Sequence, residues 1–87
     1  MKYRKKPLVV EALQFLNGDG SNNIRDCLLF LGGDLSMSFF RDEDGGITVN
    51  TPEGSMRVNN RDYIIKGVKG ELYPCNPGIF KLTYEKL

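Results

Sequence analysis

Histidine is absent from this 87-residue sequence, so the side chain that most often moves protons near neutral pH and most often binds transition metals is missing. The groups left for chemistry are two thiols and scattered carboxylates. Cys27 falls on the apolar face of a predicted helix, where a small buried side chain is its ordinary role. Cys75 ends a predicted strand after Pro74 and precedes a predicted helix start, a position that lowers a thiol's pKa. A thiol enzyme would use Cys75, and packing at the strand-to-tail corner is the competing reading. Asp62 and Glu71 are spaced to meet across a hairpin, without a catalytic signature around them. Asp42, Glu43 and Asp44 offer the oxygen ligands that Mg²⁺ and Ca²⁺ take, yet nothing matches a calcium-binding loop, and a solvated turn explains them. No metal and no cofactor is expected.

A second constellation is basic and aromatic. Arg4, Lys5 and Lys6 would form one surface with Lys66 and Lys69 if the first strand lies beside the last hairpin, and Tyr3, Tyr63 and Tyr73 would add stacking faces. With Asp62 these residues make the expected ligand-contact region. The bland alternative is that the lysines protect a strand edge from aggregation while the tyrosines half-bury their rings. Gly67-Val68-Lys69-Gly70 could present amides to a phosphate, but it lacks the strand-to-helix setting of a phosphate loop, and hairpin geometry explains the same glycines.

The elements that must position these groups follow from periodicity. Leu8 to Phe15 is rich in β-branched residues behind Pro7 and predicts a strand over 8–15. Asn17 to Asn22 is a cluster of turn formers. Ile24, Cys27, Leu28 and Leu31 recur at helical spacing, with Asn22 or Asn23 to cap the start and Gly32-Gly33 to end it. Leu35, Met37 and Phe39 alternate with Ser36, Ser38 and Phe40, predicting a strand over about 35–41 with one buried face. Turns at 41–46 and 51–54 separate it from Ile47-Thr48-Val49 and from Met56 and Val58, and Tyr63–Lys66 pairs with 71–73 in a last hairpin. Asn76 and Pro77 read as cap and first position of a closing helix whose inner face carries Ile79, Phe80, Thr83, Tyr84 and Leu87. The alternating segment 80–84 also reads as a strand.

The expectation is one α+β domain over residues 1–87, with one or two short helices packed on an antiparallel β-meander, or a small β-barrel-like domain if the closing segment is a strand. Twelve basic and eleven acidic residues leave a net charge of +1, so no global field attracts nucleic acid or an anionic membrane, and such binding would need a local patch. Two cysteines fit a reducing cytoplasm better than a disulfide scaffold. The basic start, Met1 to Pro7, lacks the uninterrupted apolar run of an export signal, and no stretch reaches the roughly 20 apolar residues of a membrane span.

Three stretches carry a resemblance to a known group: Tyr3 to Ala12, Asp62 to Cys75, and Asn76 to Glu85. They resemble small uncharacterised phage and prophage proteins of the PGDYG-motif group, with the middle of the chain least alike. Asn60-Arg61-Asp62-Tyr63 stands where that group has Pro-Gly-Asp-Tyr. The turn is expected to persist because Asn59 and Asn60 tolerate left-handed backbone. The resemblance implies a phage-encoded accessory protein in the bacterial host's cytoplasm and carries no reaction with it.

The expected function is therefore binding, either of a host protein or of an anionic small molecule such as a nucleotide signal used in defence. Nucleic-acid binding through the basic and tyrosine-bearing face is the alternative, and a small enzyme using Cys75 or the Asp62 and Glu71 pair is the third reading. Homo-oligomerisation would give so small a module a ligand-sized concavity.

Overall fold

The computed structural model describes residues 1–4, 6–18, 21–33 and 37–87, with the backbone alone of Ser21. The fold is α+β. Strands β1 (Glu11–Gln14), β2 (Asn17–Gly18) and β3 (Ser21–Asn22) lead into helix α1 (Ile24–Phe30). Strands β4 (Phe39–Arg41), β5 (Ile47–Thr51), β6 (Gly54–Val58), β7 (Tyr63–Lys66) and β8 (Leu72–Cys75) follow, and helix α2 (Pro77–Thr83) closes the order. The single meander expected from the sequence is divided. One antiparallel sheet has the order β1-β7-β8, another β4-β5-β6, and β2 pairs with β3 in a short ribbon.

The core forms where the two larger sheets and α1 meet. Ile64 and Leu72 come from the first sheet, Ile47, Val49 and Val58 from the other, and Cys27 and Leu31 from α1 and its end, with Phe15 among them. In β7, Ile64 alternates with Ile65, so one face of the sheet joins this core and the other receives α2. Tyr63 on that outer face stacks on Phe80 of α2. The two helices therefore lie on opposite faces of β1-β7-β8.

Several boundaries differ from the predicted ones for identifiable reasons. The first strand is shorter than 8–15 because Glu11 pairs with Lys66, the last residue of β7. Beyond it the partner chain reverses through Gly67–Gly70, leaving residues 8–10 without a ladder to join. The strand predicted over 35–41 is paired only over Phe39–Arg41. Asn50 N still bonds Ser38 O, but at Met37 the side chain of Asn50 takes over the carbonyl. Met37, expected on the buried face, is exposed; Leu35 and Ser36 lie outside the described residues. The closing segment is a helix. Asn76 Oδ1 accepts from Gly78 N at 2.8 Å, and Pro77 takes the first position, where its missing N–H costs no bond.

α1 starts in a way the periodicity did not disclose. Asn22 Oδ1 accepts from Ile24 N at 2.9 Å, while Asn23, at the N-cap position, turns its side chain back to β1. Asn23 Nδ2 donates to Gln14 O at 2.6 Å, and its Oδ1 accepts from Leu16 N at 2.8 Å. At the other end Gly33 N bonds Leu28 O, with Gly32 at φ 105° and Gly33 at φ 86°. Glycine takes this left-handed backbone without the clash of a Cβ.

Arg61 also adopts it, at φ 78°. The left-handed residue of this turn is thus Arg61, not Asn59 or Asn60. The conformation is imposed from both sides: Arg61 N donates to Phe15 O, Phe15 N donates to Asp62 O, and Asp62 Oδ2 accepts from Asn59 N.

Two stability measurements check these contacts. Arg61→Gly is expected to stabilise the fold by about 1 kcal/mol in urea denaturation, because glycine adopts the same backbone without strain. Asn23→Ala is expected to cost about 2 kcal/mol by leaving a part-buried carbonyl and amide unpaired; a loss below about 0.5 kcal/mol would show that water replaces the amide fully.

Candidate functional site

The pairing of β1 with β7 brings the first residues beside the last hairpin, as a shared basic surface requires. Strand alternation then separates its members. Lys66 points to the same face as Ile64, donates from Nζ to Phe30 O at 2.7 Å and lies 4.6 Å from the Phe30 ring centroid. Its charge is placed against the carbonyl end of α1, where a cation is favourable. Tyr63 faces the opposite way and is stacked on Phe80 at 3.8 Å with an interplanar angle of 5°. Tyr73 shares Tyr63's face and pairs with Ile65. Lys69 is exposed at the tip of the hairpin turn, and Tyr3, Arg4 and Lys6 are exposed ahead of β1. Lys5 lies outside the described residues. The eight described residues of the nine expected to form one ligand surface therefore lie on both faces and at both ends of the sheet, with Asp62 at the end away from Lys69.

The possible catalytic groups are likewise apart. Asp62 precedes Tyr63, which pairs with Cys75, whereas Glu71 precedes Leu72, which pairs with Lys66. The two carboxylates stand at opposite ends of the ladder and do not meet across the hairpin. Asp62 is engaged in its own turn. The Cys75 thiol is pushed up, by loss of solvent first and by the negative charge of Asp62 second, the reverse of the activation that a helix start would provide. Cys27 is fully buried, and burial, with a smaller contribution from Asp26, pushes its thiol up to about 11.

Asp42 and Asp44 face Arg57, whose guanidinium reaches them at 3.4 Å and 2.7 Å. The hydrogen bond from Arg57 lowers the Asp44 carboxyl below its ordinary range, and the same contact raises Arg57. Thr48 Oγ1 donates to Asp42 at 2.9 Å, so this turn is tied to its own sheet. Among the described residues no group of three or more His, Cys, Asp or Glu is placed to hold a metal ion.

The feature with ligand dimensions lies elsewhere, on the outer face of β1-β7-β8. A groove of about 800 Å³ runs between residues 6–10 and α2 with the residues that follow it. Ala12, Gln14 and Tyr63 form its floor. Leu8, Val9 and Val10 make one wall; Phe80, Thr83, Tyr84 and Leu87 make the other. A smaller cleft of about 300 Å³ over Ile65 and Tyr73 shares Leu8, Val10 and Tyr84 with it. The first wall exists because residues 8–10 have no strand partner and cross the face. The second is fixed by aromatic contacts, since Phe80 stacks on Tyr63 and lies 5.0 Å from Tyr84, one helical turn on.

Charge is distributed to match. The segments 1–10 and 77–87 together hold six basic residues and one acidic, whereas 11–76 holds six basic and ten acidic. The overall +1 therefore combines a basic pair of segments with an acidic middle, and the fold brings Lys6 and Lys86, one from each basic segment, to the groove. Sequence reasoning placed Phe80 and Tyr84 on the inner side of the helix and missed the groove, since proximity of residue 8 to residue 84 leaves no local pattern. The charge partition was the one signal available.

The thiol shift predicts an alkaline effect on stability. The Cys27 thiol ionises near 9.0 when unperturbed and near 11 in the folded protein, so between these values the unfolded chain has released a proton that the folded chain keeps. Stability is unaffected by this group below about pH 8 and falls as pH rises through that interval, by a total of about 3 kcal/mol at most. Urea titrations should show a shallower alkaline loss in Cys27→Ala than in the wild type, and equal slopes would show that the thiol ionises freely. No family model, curated protein or solved structure matches the chain, and the functional reading rests on the groove and the groups around it.

Proposed function

We propose that the protein acts by binding, and that its ligand is an anionic small molecule with a flat or apolar body held in the groove between residues 6–10 and α2. The observation that carries this reading is the combination of a concavity of ligand size, a floor and wall that present the Tyr63, Phe80 and Tyr84 rings, and Lys6 and Lys86 at the groove against one carboxylate, Glu85. Apolar walls with a few convergent polar groups are the usual composition of a small-molecule site. Nothing in the reading requires bond making. The separation of Asp62 from Glu71 and the raised Cys75 thiol support occupancy over catalysis.

The resemblance to phage accessory proteins supports a role in the bacterial host's cytoplasm. There the protein withholds an anionic signal, a nucleotide among the candidates, from the host system that uses it. Sequestration of this kind depends on affinity and abundance alone, which suits a chain of this size.

Anilinonaphthalene sulfonate, a flat apolar body bearing one anionic group, is the first probe. The folded protein is expected to bind it at one saturable site. Thr83→Trp, which places a ring in the groove from an exposed position, should weaken binding at least about tenfold, and Lys6→Glu with Lys86→Glu should weaken it through charge. Unchanged affinity in both variants, with cooperative unfolding intact, would place the probe elsewhere and sink the groove reading. A panel of linear and cyclic nucleotides competing against the probe then ranks the ligand class.

A further inference from the structure

Helix α2 is apolar on both sides. Phe80 and Tyr84 are directed at the sheet, yet Ile79 remains 59% exposed and Leu82 90% exposed, whereas a surface helix ordinarily turns polar residues outward. Across the groove Val9 is 73% exposed. The charged residues among them are mainly basic: Lys81 on the helix, Lys86 just after it, and Lys6 on the facing segment. Whatever covers this surface must supply apolar depth and negative charge together.

Those two requirements choose between occupants. A second copy docked through the same face by two-fold symmetry would set its lysines against these, with Glu85 alone to offset them. Nucleic acid supplies the charge and offers little into which Ile79 and Leu82 can sink. An anionic bilayer supplies both, with phosphates for the lysines and the boundary of the acyl region for the aliphatic side chains. We propose that the outer face of α2 and the facing segment 6–10 dock on an anionic lipid surface, with Ile79, Leu82 and Val9 entering it and Lys6, Lys81 and Lys86 against the headgroups. The near-neutral total charge does not oppose this, since the acidic residues are concentrated in 11–76. Lys6, Val9 and Lys86 line the groove as well, whereas Ile79, Lys81 and Leu82 do not, so a change at Leu82 tests this surface apart from the small-molecule site.

The test is co-sedimentation of the full chain with vesicles of phosphatidylcholine alone and of phosphatidylcholine mixed with phosphatidylglycerol, at low and high salt. The protein is expected to sediment with the mixed vesicles at low salt and to be released by high salt. Leu82→Glu should lower the partition coefficient by about tenfold or more while unfolding as cooperatively as the wild type, because the side chain is exposed. The same variant should bind anilinonaphthalene sulfonate normally, which separates failure of this proposal from failure of the groove reading. Sedimentation with neither vesicle, or equal partition of wild type and Leu82→Glu, overturns the proposal. Retention on single-stranded DNA without vesicle binding also overturns it and assigns the lysines to nucleic acid.

Discussion

The side chain of Asn23 holds the arrangement together at the open edge of β1. Phe15 directs its N–H and C=O toward the turn before β7, so those of Gln14 and Leu16 point the other way, where another strand would normally pair. Asn23 supplies one donor and one acceptor to that edge in place of a strand, and its own N–H bonds Leu16 O. The edge is thereby satisfied at Gln14 and Leu16, and the first turn of α1 is fixed against it. Cys27 and Leu31 follow one and two turns later and meet Phe15 and Ile64 in the core. Because the amide is committed to β1, the task of meeting the first free N–H of the helix passes to Asn22.

The second determinant is the alternation of β7. Tyr63 and Ile65 face α2; Ile64 and Lys66 face α1 and the core. A slip of one residue would send Ile64 and Lys66 out and Tyr63 and Ile65 in, removing a core side chain and separating Lys66 from the Phe30 carbonyl. The bond from Lys66 to Phe30 O and its place near the Phe30 ring therefore help to specify register as well as to end a helix. One sheet can thus carry a sealed face and a concave, accessible face only a strand's thickness apart.

Much of this was legible in the residues. The spacing of Ile24, Cys27, Leu28 and Leu31 placed α1; the glycines of 67–70 and the Thr51-Pro52-Glu53-Gly54 sequence placed turns; Asn76 and Pro77 marked the start of α2. Each signal is local, because the residue that causes the feature lies within it. What was not legible depends on partners far along the chain. The end of β1 at Glu11 is decided by where β7 stops. Met37 loses its strand because Asn50 intercepts its carbonyl. Lys66 and Tyr63 looked like members of one basic and aromatic surface because their types agree; their faces do not, and the cationic head of a long side chain leaves no periodic trace. Arg61 in a glycine-like conformation is unreadable from composition, since arginine avoids that backbone and only the bonds of Phe15 and Asp62 impose it.

The groove has one wall from the beginning of the sequence and one from its end, joined by a floor from β1 and β7. Bringing its walls together closes a loop of almost the whole described chain, so the groove carries the entropy cost of a contact between distant residues. A molecule bound there bridges two segments that share little backbone pairing, so its binding energy adds to the resistance of the whole chain to unravelling from either side. Entry to the same space needs no opening of the core, because residues 6–10 lie outside every ladder and can lift at low cost. Any molecule that binds the folded chain at this groove would raise its stability in step with its own concentration relative to its dissociation constant.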